Sequence, residues 1–186
     1  TDDPADTLEY HQLLKAEKGF NCRVLPAFRP DKALGIEQPG FPDWISVMEQ
    51  TAGEGIGSFA TLCEVLKKRI AFFDSLGCRA SDHAFGCVPY AEATALQLEE
   101  IFEKGVARAP LSQWEMDAYR TALLQAMARE YARLGWGMEL HIGPMRNNNT
   151  RMFQALGPDA GFDSCADDAA AQNLSRLLDS LDVEGN

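Results

Sequence analysis

The chain has 186 residues, of which 46% are hydrophobic and 24% are charged, values that are ordinary for a globular protein. Its formal net charge of -11 argues against a nucleic-acid partner, because neutralising phosphates requires clustered lysine and arginine. Five cysteines without a Cys-x-x-Cys pair argue against a disulfide framework or a zinc knuckle, so we expect reduced thiols in a cytoplasmic protein, and no apolar run is long enough to span a membrane.

Helix and strand signals alternate along the chain. Apolar residues at helical spacing, glycine stops and a Ser112–Glu115 capping box indicate the helices, and short apolar runs indicate the strands. In chain order, the predicted elements are a strand end at 1–4, a helix over 6–17, a strand over 20–28, helices over 42–50 and 57–76, a strand over 78–84, helices over 91–102 and 112–134, a strand over 138–142 and a final helix over 166–181.

Polar residues gather where each predicted strand ends, a pattern typical of a parallel sheet wrapped by helices. A doubly wound sheet and a (β/α)8 barrel both satisfy this α/β, helix-rich pattern. The absence of a Gly-x-Gly-x-x-Gly motif disfavours the dinucleotide-binding open sheet, whereas a barrel collects its site from several strand ends. A complete barrel needs eight strands and about 250 residues. We therefore expect about four strand–helix units, a TIM-type barrel in part.

The strand over 138–142 carries the first candidate site residue, His141. Gly143-Pro144 ends this strand, and Arg146 and the asparagines at 147–149 follow it, so His141 stands at a strand end among polar side chains. The alternative is a histidine satisfied in the core. We interpret His141 as catalytic and Arg146 as substrate-binding, with the asparagines mostly building the loop.

Two earlier strand ends contribute Arg29, Asp82 and His83. Asp82 suits the orientation of a histidine or proton abstraction, and His83 is interpreted as substrate-binding, although a capping aspartate beside a surface histidine is the alternative. The planar guanidinium of Arg29 suits a substrate carboxylate, and an ion pair with Asp31 is the equally weighted alternative.

Metal and serine-hydrolase chemistry have weaker support in the sequence. His141 is a candidate metal ligand, but no His-x-His or His-Glu-x-x-His motif occurs, so a site built from this chain alone would lack ligands. A single divalent metal such as zinc would take most of its ligands from elsewhere. No Gly-x-Ser-x-Gly motif occurs either.

An ordered set of motifs runs through the chain. The motifs are Thr1-Asp2-Asp3-Pro4, Val24-Leu25-Pro26-Ala27-Phe28-Arg29-Pro30-Asp31-Lys32, Ser81-Asp82-His83-Ala84, His141-Ile142-Gly143-Pro144-Met145-Arg146-Asn147-Asn148-Asn149 and Leu156-Gly157-Pro158-Asp159. Together they resemble the middle of the uronate isomerase (glucuronate isomerase) family of the amidohydrolase superfamily, and the resemblance covers essentially all 186 residues.

This resemblance implies a distorted (β/α)8 barrel in which the chain supplies the second to fifth strands, as a single segment 1–186 of the barrel domain. It implies conversion of D-glucuronate to D-fructuronate and of D-galacturonate to D-tagaturonate in bacterial hexuronate catabolism. The family's His-x-His metal pair would lie upstream and its Asp-x-Arg downstream, so we expect the segment alone to be inactive. A hexuronate is the expected partner, and a homo-oligomer is compatible with it. A metal-dependent hydrolase of the same superfamily and a non-catalytic sugar-acid binding protein are the alternatives.

Overall fold

The computed structural model of the protein describes residues 1–19, 21–166 and 170–183. Helices and short strands alternate through these residues. They are α1 (Glu9–Ala16), α2 (Asp31–Leu34), α3 (Phe41–Ala52), α4 (Phe59–Ser75), β1 (Ala80–Phe85), α5 (Ala95–Val106), α6 (Gln113–Leu134), β2 (Gly137–Ile142), β3 (Pro144–Met145), α7 (Thr150–Leu156), β4 (Ser164–Cys165) and α8 (Ala170–Asp182). None of the helices in this part of the chain combines the length and apolar character that crossing a bilayer requires.

Parallel pairing joins segments that are far apart in the chain. Strands β1 and β2 pair in parallel from Ala80 opposite Gly137 to Phe85 opposite Ile142. Phe28 extends this pairing, because its N–H donates to the Ala80 carbonyl at 3.1 Å and its carbonyl accepts from the Asp82 N–H at 2.9 Å. Asp2 adds a further parallel bridge on the other side of Phe28. The protein is therefore a helix-rich α/β structure in which the paired parallel segments follow one another in chain order.

The strand predicted over 20–28 is wrong apart from its last residue. Residues 21–27 form no strand, Phe28 makes isolated bridges only, and Phe20 lies outside the described residues. Val24 and Leu25 are 39% and 40% exposed, so their apolar character does not mark a buried strand, and Pro26 has no N–H to donate. Asp31–Leu34 forms the short helix α2, which was not among the predicted elements.

Side-chain caps mark the beginnings of α4, α5, α6 and α7. The predicted Ser112–Glu115 capping box is present at the start of α6. Helix α5 begins at Ala95 rather than 91, because Thr94 forms a second capping box with Gln97. The final predicted helix is present as α8 from Ala170, and residues 167–169 of that prediction lie outside the described part.

The hydrophobic core lies between one face of the sheet and helices α3 to α6. Phe28 is fully buried and packs edge-on against Phe73 and Tyr131, with ring centroids 5.0 and 6.0 Å apart. Ser81 and His83 of β1 point to the same side and are also fully buried. Because side chains alternate along a strand, Asp82 projects from the opposite face, where the candidate site lies.

Candidate active site

The sheet register brings three charged side chains into one row. Arg29 follows Phe28, Asp82 follows Ser81, and Phe28 and Ser81 are bridge partners. Asp82 in turn lies opposite Glu139. These side chains project from the same face, and His141, opposite Ala84, occupies the next row on that face. The C-terminal ends of neighbouring parallel segments therefore meet at one charged edge.

Asp82 stands at the centre of this edge and uses both carboxylate oxygens. Its Oδ1 lies 2.6 Å from His141 Nδ1, and its Oδ2 accepts from Arg29 Nη1 at 3.0 Å. The Asp82 side chain is only 8% exposed, so these partners compensate for much of its lost hydration. The predicted association of Asp82 with a histidine is observed, and the histidine is His141 rather than its neighbour His83.

Arg29 is held by a second carboxylate. Its Nε donates to Asp31 Oδ2 at 2.7 Å, while the other oxygen of Asp31 accepts from the Ala84 N–H at 3.2 Å. The hydrogen bond to Asp31 raises the pKa of the Arg29 guanidinium, although partial burial acts in the opposite direction. The Arg29 side chain remains 34% exposed, so the ion pair with Asp31 leaves guanidinium surface for a ligand.

His141 is oriented by Asp82 and open to solvent. Since the Asp82 carboxylate is a hydrogen-bond acceptor, we assign the imidazole N–H to Nδ1, which leaves the lone pair of Nε2 free. Nε2 lies 3.5 Å from Glu139 Oε1, and the imidazole side chain is 53% exposed. Ligand atoms of Asp82, Glu139 and His141 all lie within 4.8 Å of one another. This arrangement suits either a hydrogen bond to a ligand oxygen or a share in a cation site.

Arg146 lies on the same cavity as His141. The cavity has a volume of about 270 Å³ and includes Asp163 and Cys165 in its lining. Arg146 Nη1 donates to Asp163 Oδ2 at 2.8 Å, and the Asn147 N–H donates to Asp163 Oδ1 at 2.8 Å. These bonds, the backbone N–H first, lower the pKa of Asp163. Arg146 thus lines this cavity from the loop after β3.

The asparagines after Arg146 build this loop. The Asn149 side chain accepts from the Met152 N–H at 3.1 Å and caps α7, and Asn148 bonds the Ser164 hydroxyl. Asn147 takes a left-handed conformation with φ of 54°, which asparagine adopts more readily than most residues. Their expected part in building the loop is observed.

His83 does not join the charged edge, contrary to its predicted place in substrate binding. Its side chain is fully buried on the core side, where Nε2 lies 3.2 Å from the Ser81 hydroxyl and the ring lies 5.8 Å from that of Tyr131. Burial lowers the pKa of His83 to about 4. The reason is the strand alternation, which sends consecutive residues to opposite faces.

Glu139 and Asp31 are residues of the edge that the sequence interpretation did not assign to the site. Glu139 and His141 are two positions apart in a strand, a spacing that places both on one face, so the alternation itself could have identified Glu139. From the sequence, an ion pair with Asp31 was only the alternative to substrate binding by Arg29. In the structure, Arg29 forms this ion pair while its side chain remains partly exposed.

Comparisons with known proteins agree over the whole chain. A sequence profile described as glucuronate isomerase matches residues 1–186. The uronate isomerases of Caldanaerobacter subterraneus subsp. tengcongensis and Clostridium acetobutylicum are each 49% identical, over 100% of this chain and 40% of their own length. The crystal structure of uronate isomerase from Thermotoga maritima superposes with a TM-score of 0.88 at 28% identity, covering 97% of this chain and 40% of that one. The chain thus spans about 40% of the relatives it matches.

Proposed function

Because the chain belongs to the glucuronate isomerase family, we propose that it forms part of an enzyme that interconverts aldose and ketose hexuronates. The substrates proposed are D-glucuronate, giving D-fructuronate, and D-galacturonate, giving D-tagaturonate. The observation that carries this proposal is the linked group of Arg29, Asp82 and His141 at one sheet edge. This group supports the proposal because a cationic side chain and an oriented imidazole share Asp82 as a hydrogen-bond partner.

The reaction gives each of these groups a task. An aldose–ketose isomerase moves a proton between neighbouring carbons while a polar group stabilises the oxygens of an enediolate. The exposed Nε2 of His141 suits contact with such an oxygen. Arg29 and Arg146 suit the distant carboxylate of a hexuronate, whose binding then positions the carbon chain for reaction. The principal base is expected to come from outside these residues.

The fold proposal is more specific than a helix-rich α/β structure. Asp2, Phe28, β1 and β2 are parallel neighbours in chain order, which is the arrangement of consecutive strands in a (β/α)8 barrel. We propose that residues 1–186 form a single segment of such a barrel domain and supply about four of its strand–helix units. A cytoplasmic location and a homo-oligomer remain predictions.

A divalent metal such as zinc is compatible with the donors at this edge. His141 Nε2 and Glu139 Oε1 are the two atoms that this chain would offer, and Asp82 would orient the imidazole through Nδ1. Because zinc takes about four ligands, the others would come from elsewhere in the enzyme. When bound, such an ion supplies Lewis-acid polarisation of a substrate oxygen.

Steady-state kinetics on the complete isomerase that carries this segment test the proposal. We expect turnover of D-glucuronate and a roughly tenfold to hundredfold lower kcat/KM in Arg146→Lys, since lysine cannot reproduce a planar two-point contact with a carboxylate. Arg133→Lys is the matched control, because Arg133 pairs with Glu130 on the exposed side of α6. An unchanged kcat/KM in Arg146→Lys would remove Arg146 from the site.

Two further results bear on the proposal as a whole. The 186-residue chain by itself is expected to show no isomerisation, because it offers only part of a catalytic set. Measurable turnover by that chain would contradict this expectation. Zinc-dependent hydrolysis of an amide or ester by the complete enzyme, without isomerisation, would instead favour a hydrolase of the same superfamily.

A further inference from the structure

We propose that Asp31 is a positioning residue that holds the Arg29 guanidinium in the orientation needed to bind the carboxylate of a sugar acid. The inference rests on the proposed function, since it assigns a device to the same site. Asp31 itself contacts no part of the substrate in this proposal. It acts through Arg29.

The two oxygens of Asp31 connect the guanidinium to the main chain of the sheet. Oδ2 accepts from Arg29 Nε at 2.7 Å, and Oδ1 accepts from the Ala84 N–H of β1 at 3.2 Å. Asp31 is also the first residue of α2, so its own backbone is fixed by a helix. Contacts with β1 and α2 therefore fix the orientation of the guanidinium through Asp31.

Arg29 has a second partner that would not fix its orientation alone. Nη1 donates to Asp82 Oδ2 at 3.0 Å. A guanidinium with one hydrogen-bond partner can swing about that contact, whereas contacts at Nε and Nη1 on different sides of the fork define its plane. Asp31 thus leaves the remaining N–H groups of a 34% exposed side chain aimed in one direction.

Asp82 is less free than Asp31 to serve this purpose. Its other oxygen contacts His141 at 2.6 Å, so any movement of Asp82 also moves the imidazole. Asp31 has no described bond to His141, so it can orient Arg29 without also moving the imidazole. Of the two carboxylates that contact Arg29, Asp31 is therefore the one whose loss leaves the contact between Asp82 and His141 in place. A loss at Asp31 should appear in binding rather than in the chemical step.

The test compares Asp31→Asn with the wild type in the complete isomerase that carries this segment. Asparagine keeps one oxygen for the Ala84 N–H but presents an amide N–H₂ group to Arg29, so it removes the guanidinium contact and retains the main-chain contact. Asp74→Asn is the matched control, because Asp74 also bonds an arginine, Arg79, and a ring N–H, that of Trp136. Asp74 and its two partners lie near the N-terminal ends of β1 and β2, away from the candidate site.

Four quantities are measured for each variant: KM and kcat for D-glucuronate, the Kd of D-gluconate by titration calorimetry, and the melting temperature. For Asp31→Asn we expect KM and Kd to rise by about tenfold or more, with kcat within about threefold of the wild type, since a contact made equally before and during reaction affects binding alone. Asp74→Asn should leave KM and Kd unchanged.

The outcomes separate this inference from the proposed function. Unchanged KM and Kd in a folded Asp31→Asn protein would overturn it, and so would a large fall in kcat at constant KM, which would place Asp31 in the chemistry itself. If the wild type binds D-gluconate but does not isomerise D-glucuronate, the proposed reaction is wrong. The comparison of Kd values between the wild type and Asp31→Asn then still tests the positioning role of Asp31. A wild type that neither turns over nor binds would overturn both.

Discussion

Replacing His83 by phenylalanine should make the stability of the fold less sensitive to acid. His83 is fully buried, and burial lowers its pKa from 6.5 to about 4. Asp82 acts to raise this pKa and Arg29 to lower it, but both effects are smaller than the loss of hydration. Between these pKa values the unfolded chain binds a proton that the folded chain does not.

The sign and size of the effect follow from this difference in protonation. The stability associated with neutral His83 is present above pH 6.5 and is lost as the pH falls towards 4. Each pKa unit corresponds to about 1.4 kcal/mol, so the full loss is roughly 3 kcal/mol, of which roughly 2 kcal/mol falls between pH 7 and pH 5. Phenylalanine keeps a ring beside Phe85 and Tyr131 but does not titrate.

Urea unfolding of the purified chain at pH 7 and pH 5, followed by circular dichroism in the presence of a chelator, measures this effect. The wild type should lose more stability than His83→Phe over this interval by roughly 2 kcal/mol. Removing the contact with the Ser81 hydroxyl costs about 1 kcal/mol at both pH values and cancels in the comparison. Phe85→Leu is the control that lowers stability while keeping the histidine. Equal acid sensitivity in the wild type and His83→Phe, or an imidazole resonance of His83 that titrates near pH 6.5, would refute the reasoning.

Three other substitutions have definite expected outcomes. Asp82→Asn should lower the kcat/KM of the complete enzyme about a hundredfold, because an amide cannot accept from both partners of the carboxylate; steady-state rates near those of the wild type would contradict this. Glu99→Gln should lower the free energy of unfolding by about 1 kcal/mol in urea titrations, since Glu99 accepts from the first N–H groups of α4. Gly105→Ala should cost about 1–3 kcal/mol in the same titration, because a new Cβ would meet Cγ1 and Cδ1 of Ile36, and combining it with Ile36→Ala, which removes both carbons, should cost less than the two single substitutions added together. Simple addition of the two single-mutant costs would show that they do not share this contact.

Local rules predicted the helices well because their signals are contained in a few neighbouring residues. The capping box at Ser112 and the apolar spacing of α4 and α6 needed no knowledge of the rest of the molecule. The strand over 20–28 failed for a complementary reason. An apolar run becomes a strand only if another segment pairs with it, and within the described residues 21–28 only Phe28 finds such partners.

The sequence located the site residues along the chain better than it predicted the face of the sheet from which each side chain projects. The strand ends were located correctly, and His141, Asp82 and Arg29 meet there. Neighbouring residues were nevertheless treated as one unit, which placed His83 with Asp82. The strand period of two separates them, and the same period would have joined Glu139 to His141.

The alternation along β1 also determines which of its positions are open to redesign. The interior side of β1 is constrained by the volume of the core, in which Ser81, His83 and Phe85 are buried. Acceptable replacements there are set by shape and by the partners of a few buried polar atoms. Position 82 on the other side requires a carboxylate, because the two oxygens of Asp82 contact a guanidinium and an imidazole. One inserted residue before Ser81 would exchange the two sets, so this strand should tolerate only volume-conserving replacements on its interior side and no change in length.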